Sequence, residues 1–539
     1  MNKASIQSPA SIIKEIENVV LTLNRRVTAK ALNLWQGNVS NAPNYGTYDG
    51  LTDILNPKTI NSLRPPGGWA RKGQRVYHSL LSHYLQYRIS PYENELFTLI
   101  KGAAAHVDGE KIYFKDTLSW CQKRSDLEKR KILEKESGSL CKFLKPFALG
   151  LWEHLLMLLE DEFGYEDYVK YCQDKKQVDY ETYVPLLQDV LWQTDTLYFE
   201  AMERWSERSL GVPLRRLNRF DAVYLLGLGE FDPLFPDHVP LSDHLDFFND
   251  WGIQVNNIQG LSLDISSSPK KGSQAMSFAL SIPDQIYLVM NPQGGWIDLE
   301  TLFHEMGHVL SHAFTSPDLP AVEKDFFTSN TLSETYAFLL QNMCFSPLFL
   351  RQNLGLSSSA IEEVSFYKTL KDLSVFRRYV GKFLSEYEMF SGNDVGNGEI
   401  YSAVMEQYTG FTYLPETHLF DLVPEFYALD YVISWMAEAT MEKMLVRELG
   451  HHWMFRPEAG SMLKEWWLCG NRFEIDEFFS AKGIGSIDSK DIIDRWRSKI
   501  LGEERNADHS STDDGVVVPT GVERQGSFTG AAHPRKRSI

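Results

Sequence analysis

Thr301-Leu302-Phe303-His304-Glu305-Met306-Gly307-His308-Val309-Leu310, continued by Ala313-Phe314, has the composition of a buried helix with two histidines four residues apart. At 3.6 residues per turn His304 and His308 share one face, about 6 Å apart, so both imidazoles can reach one tetrahedral ion. Glu305 sits one step round the helix, where it can take a proton from a water polarised by that ion. In a chain with 14 histidines the pentapeptide alone carries limited weight, and its apolar flanks add to it. A buried imidazole needs a partner for each ring nitrogen, which a metal and a further hydrogen-bond acceptor supply. Gly307 costs about 1 kcal/mol in a helix interior. Close passage of another backbone or of a substrate accounts for it.

A catalytic zinc site needs a third protein ligand and an open fourth position. Glu334, 26 residues after His308, is the candidate. Pro317 and Pro320 end the first helix, and Leu332 to Leu340 has the pattern of a second, starting near Ser333 with Ser333 or Thr331 as its cap. The competing explanation of Glu334 is a first-turn glutamate that complements the helix dipole. Glu300 and Glu323 are the rival ligands, both in segments that read as exposed.

Upstream, Ala275 to Ser281 alternates, and Gln285 to Asn291 is rich in β-branched and aromatic residues between Pro283 and Pro292, so a hairpin is expected. An edge strand beside such a site can pair with an extended peptide through main-chain hydrogen bonds. A purely structural hairpin is the alternative.

The rest of the chain limits its class. The 539 residues, 43% of them hydrophobic, are enough for a large two-lobed body or two to three domains. A net charge of −18 disfavours nucleic acid and anionic membrane as partners. Cys121, Cys141, Cys172, Cys344 and Cys469 are scattered and odd in number, as free thiols in a reducing compartment such as the cytoplasm would be. Lys14, Glu15 and Glu17 interrupt the only apolar stretch near the N-terminus, which excludes a signal peptide there, and no run of about 18 apolar residues suggests a membrane span. Residues 1–240 read as a lobe of amphipathic helices, among them Ser11 to Leu32, Gln74 to Tyr87, Ser139 to Leu159 and Tyr183 to Leu210, with Lys123 to Lys135 as a solvated face. Residues 241–502, which hold the two histidines and Glu334, are expected to form a catalytic zinc-peptidase domain. From 503 to 539 the periodicity vanishes and a disordered tail is expected.

Lys271-Gly272-Ser273-Gln274-Ala275, Ile286 to Asn291, and Asp298 to Phe303 leading into His304 to His308 together resemble the catalytic segment of the oligoendopeptidase F and thimet oligopeptidase family. The resemblance covers roughly residues 245–500. It implies a mainly α, two-lobed helical metallopeptidase with a deep central channel and a small β-sheet next to the zinc helix. It further implies one zinc ion held by His304, His308 and Glu334, and short unfolded peptides as substrates, carried by Ser273 to Phe278. Phe426-Tyr427 with Tyr431 resembles the family's tyrosine-rich segment, and Pro415-Glu416-Thr417-His418 aligns with the family only with small insertions; the resemblance implies that Tyr427, Tyr431 and His418 steady the oxyanion of the transition state. In a chain with 24 tyrosines, a pair at helical spacing is otherwise more often core. Two departures stand out: Ser311, followed by His312, where the family has a histidine, and Gln341 where it tends to have a glutamate. A carboxypeptidase or dipeptidyl carboxypeptidase of related fold stays open, as does a zinc-binding peptide receptor without turnover.

Overall fold

The amphipathic periodicities of the first 210 residues become helices, four of them long and α4 short: α1 (Pro9–Trp35), α2 (Arg71–Gly102), α3 (Leu127–Phe163), α4 (Tyr168–Lys176) and α5 (Tyr180–Leu210). The computed structural model describes residues 9–38, 46–64, 71–235, 240–272 and 275–502; Ser273, Gln274 and the tail from 503 lie outside the described residues. Asp126, Asp167 and Asp179 start α3, α4 and α5 by accepting main-chain N–H groups of the first turn. The charged run 123–135 is not wholly a solvated face as expected. Arg130 is fully buried, donates to Asp221 Oδ1 at 2.7 Å and lies over the Tyr224 ring. Between α2 and α3 a small hairpin, β1 (Ala104–Val107) and β2 (Glu110–Tyr113), interrupts the helices.

The expected second hairpin forms, and a third strand extends it. Strands β3 (Leu261–Asp264), β4 (Met276–Ser281) and β5 (Gln285–Val289) run in the order β3-β5-β4, with β3 parallel and β4 antiparallel to β5. β4 is therefore an edge. Side chains alternate across a strand. Phe278 and Val289 pack against Leu32, while Ile286 and Leu288 enter the main core. The sheet thus lies between α1 and the helix that follows β5.

That helix, α6 (Trp296–Ala313), packs closely on α7 (Thr331–Met343), which in turn packs on α9 (Tyr427–Leu449); α8 (Ser358–Ser391) lies behind α9. A Cβ on Gly307 would stand 2.4 Å from Ala337 Cα, so α6 and α7 cross there in backbone contact and any larger side chain would separate them. The cost of that glycine has its explanation in the neighbouring helix. One buried hydrophobic cluster runs from Ile16 to Ile500, through both the N-terminal helices and the residues after 240. The chain is about 70% helical with two small sheets, a mainly α protein.

Candidate metal centre

His304 and His308 project from α6 toward Glu334 in the first turn of α7, and their ligand atoms lie within 4.8 Å of one another. His304 Nε2 is 3.5 Å from Glu334 Oε2, and His308 Nε2 is 3.6 Å from Glu334 Oε1. Two ligands at 2.0–2.2 Å from a tetrahedral ion stand about 3.4 Å apart, so the three groups fit a zinc ion with little movement. The outer ring nitrogens are committed elsewhere. His304 Nδ1 is 2.8 Å from Gln341 Oε1, and His308 Nδ1 is 2.8 Å from Ser333 Oγ. Gln341 Nε2 donates to Glu300 Oε1 at 3.2 Å, so its Oε1 must accept, and His304 carries its proton on Nδ1. The Nε2 lone pairs are left for the ion. Burial holds both imidazoles neutral by pulling each down to about 4. Glu334 Oε2 is buried without a hydrogen-bond partner, as a carboxylate oxygen meant for a cation would be.

The partners behind these ligands differ from the sequence expectation in two ways. Ser333 is not a helix cap; α7 begins at Thr331, and the Ser333 hydroxyl orients His308 instead. Glu300 is not exposed. It is buried, accepts from Lys371 Nζ at 2.7 and 2.8 Å, and pairs with Lys368 at 3.0 Å. Glu323 pairs with Arg472 at 2.7 Å and does not join the ligand cluster. Glu305 is buried at the wall facing β4, where its Oε2 accepts from the Ser277 main-chain N–H at 2.7 Å. Burial, and then the charge of Glu334, pushes its carboxyl up to about 7.

Residues 245–436 match the model of peptidase family M3, and the span contains each of these site residues. Over this region the chain is similar to peptidase family M3. The family is one of zinc metallopeptidases. No curated protein matches the chain.

Within the M3 region the tyrosines and His418 part company. Tyr427, the first residue of α9, donates its hydroxyl to Glu334 Oε1. The Tyr431 ring lies 5.0 Å from it and stacks on Tyr379 at 4.9 Å. Both tyrosines line a cleft of about 950 Å³ that also takes in His304, Glu305, His308 and Glu334. His418 is not brought to this cleft. It is fully buried, with Nδ1 2.7 Å from the Pro415 carbonyl and Nε2 3.0 Å from that of Val395, so the structure gives it a packing role. His312 stands one turn beyond His308, lines the cleft and packs edge-on to Phe327.

Sequence reasoning singled out Gln341 and weighed Glu300 as a ligand, but missed the chain that joins Gln341 to Glu300 and on to Lys371 and Lys368. Glu300 lies four residues before His304, one helical turn away, which was a local signal. The lysines, on α8, gave none. The cleft's far wall comes from outside the M3 match: Trp35 of α1, with Leu118 and Gln122 from the short helix Thr117–Gln122.

Proposed function

We propose that the protein is an oligoendopeptidase that hydrolyses bonds within short unfolded peptides, using one zinc ion held by His304, His308 and Glu334. The observation that carries this is the meeting of three ligand groups, a buried Glu305 and a strand edge in one cleft. When bound, zinc supplies a Lewis acid that acidifies the attacking water and polarises the scissile carbonyl. In an antiparallel ladder the N–H and C=O of one residue point the same way. Ser277 directs its N–H to Glu305 and away from β5, so the Ser277 carbonyl and, two residues on, the N–H and carbonyl of Ala279 are left for a peptide laid along β4. Such pairing gives affinity without side-chain preference.

Glu305 takes the proton of the attacking water and delivers it to the leaving nitrogen. Tyr427 and Tyr431 face the same cleft and stabilise the oxyanion, a contribution of a few kcal/mol. Among the described residues no helix is long and apolar enough to cross a membrane. The cysteines are all free thiols, in keeping with a reducing compartment such as the cytoplasm.

The test is Glu305→Gln, assayed with quenched peptides blocked at both ends. Stoichiometric zinc with hydrolysis reduced by about 10² to 10⁴ is expected, and the native enzyme should cut inside the blocked peptides. Activity retained by the variant would refute the mechanism. Cleavage confined to free C-termini would refute the endopeptidase assignment.

A further inference from the structure

Tyr427 occupies a costly backbone position. The two residues before it, Glu425 (φ 61°, ψ 32°) and Phe426 (φ 51°, ψ 42°), are both left-handed, and neither is glycine. Such a conformation is strained for any residue with a side chain, and a consecutive pair persists only where surrounding structure imposes it. What imposes it comes from the N-terminal helices. Phe426 is buried against the rings of Tyr168 and Tyr180, and the Glu425 N–H donates to the Tyr168 hydroxyl at 2.9 Å. The Glu425 carboxylate accepts from Lys175 Nζ at 2.6 and 2.7 Å, and the same ammonium donates to Ser82 Oγ of α2 at 2.8 Å.

The next residue of α4 repeats the pattern on the other side of Tyr427. Lys176 Nζ is 2.9 Å from Asp430 Oδ2, and both side chains are almost fully buried. Asp430 also accepts the Asn330 N–H at 3.4 Å, at the start of the helix that carries Glu334. Two consecutive lysines at the end of one short helix therefore hold residues two before and three after Tyr427. The second lysine reaches the base of the Glu334 helix as well.

We propose that Lys175 and Lys176 are positioning residues for catalysis, acting through Glu425 and Asp430 to set the Tyr427 phenol against Glu334. This rests on the reading above in which Tyr427 serves the reaction. It makes α4, outside the M3 match, part of the catalytic machinery without touching substrate. Lysines in a last turn also complement a helix dipole, but that role is met at the surface and needs no buried partner about 250 positions away in sequence. Nor is it explained by stability alone, since a buried ion pair is often replaceable by apolar side chains without loss.

The experiment measures kcat and KM separately, with zinc content and thermal unfolding, for Lys175→Met, Lys176→Met, Tyr427→Phe, the Lys175→Met/Tyr427→Phe double variant and Lys175→Met/Glu425→Gly. Each lysine variant should lose about 10- to 100-fold in kcat, with KM within a few-fold, zinc stoichiometric and unfolding still cooperative. The Lys175/Tyr427 double variant should lose no more than Tyr427→Phe alone. Glycine adopts positive φ without strain, so Glu425→Gly should restore most of what Lys175→Met removes, and this rescue remains decisive if Lys175→Met alone fails to fold. Full kcat in both lysine variants beside an impaired Tyr427→Phe would overturn the positioning role and leave the role of Tyr427 standing. Full kcat in Tyr427→Phe would overturn both. Additive losses in the double variant, or no rescue by glycine, would show that the lysines act elsewhere.

Discussion

Gly307→Ala should disarm the metal centre while leaving the protein folded. The new Cβ would lie 2.4 Å from Ala337 Cα and 2.6 Å from both Ala337 N and the Tyr336 carbonyl oxygen. These are backbone atoms and cannot rotate away. Ordinary contact begins at 3.4 Å, so α6 and α7 must part by about 1 Å, because a close-packed interior has no slack to absorb it. His304 and His308 ride on α6 and Glu334 on α7, so the whole displacement falls on the ligand triangle, whose distances tolerate only about 0.2 Å. Stability suffers less. Overpacking costs about 1–3 kcal/mol, and alanine returns about 1 kcal/mol of helix propensity. We therefore expect a thermal midpoint lowered by no more than about 2 °C and zinc affinity lowered by about 100-fold or more, comparable to the upper end for loss of a ligand's orienting partner. Competition against a chromogenic zinc chelator measures the second quantity and calorimetry the first. A variant that binds zinc within threefold of the native protein would refute the claim that the glycine sets the ligand geometry.

Two further outcomes concern Glu300. Burial pushes its carboxyl up, but Lys371 and Lys368 outweigh this and hold it at about 2 against an ordinary 4.5. A depressed carboxyl stabilises the fold fully above pH 4.5 and loses that contribution as pH falls from 4.5 toward 2, so the thermal midpoint should drop across that window and Glu300→Gln should flatten the drop; an unchanged pH slope in the variant would count against the pairing. Gln341→Glu would set a second carboxylate about 3.2 Å from Glu300 and should weaken both stability and zinc binding, whereas Glu300→Gln/Gln341→Glu leaves one carboxylate and one amide and should recover much of the loss; strictly additive effects in calorimetry and chelator competition would refute the coupling.

What the sequence made legible was whatever is local in the chain. The i, i+4 histidines, the edge hairpin and the buried helix around Glu334 each follow from spacing and periodicity over fewer than 20 residues. Gly307 was legible too, since a glycine in an apolar helix had to answer to a neighbouring backbone. The hairpin of β1 and β2 was legible and passed over. Asp108-Gly109, both at positive φ, joins the strands as an Asp-Gly turn between alternating residues should. His418 failed for a different reason. It was placed by likeness alone, in a segment that matched only with insertions, and its imidazole proved to be occupied by two carbonyls of its own surroundings.

The illegible part is long-range charge. Gln341 looked like the loss of an anion behind His304, yet its amide passes on the field of Glu300, which is itself balanced by two lysines from α8. An amide between histidine and carboxylate fixes the imidazole tautomer as a glutamate would, while holding the negative charge one group further from the metal. His304 would then be a weaker donor than a carboxylate-backed histidine, and an ion held there would keep more of its Lewis acidity. The substitution at 341 is thus not an isolated defect in the site. It is one half of a pair whose other half, Glu300, sits on the metal helix itself, one turn before His304.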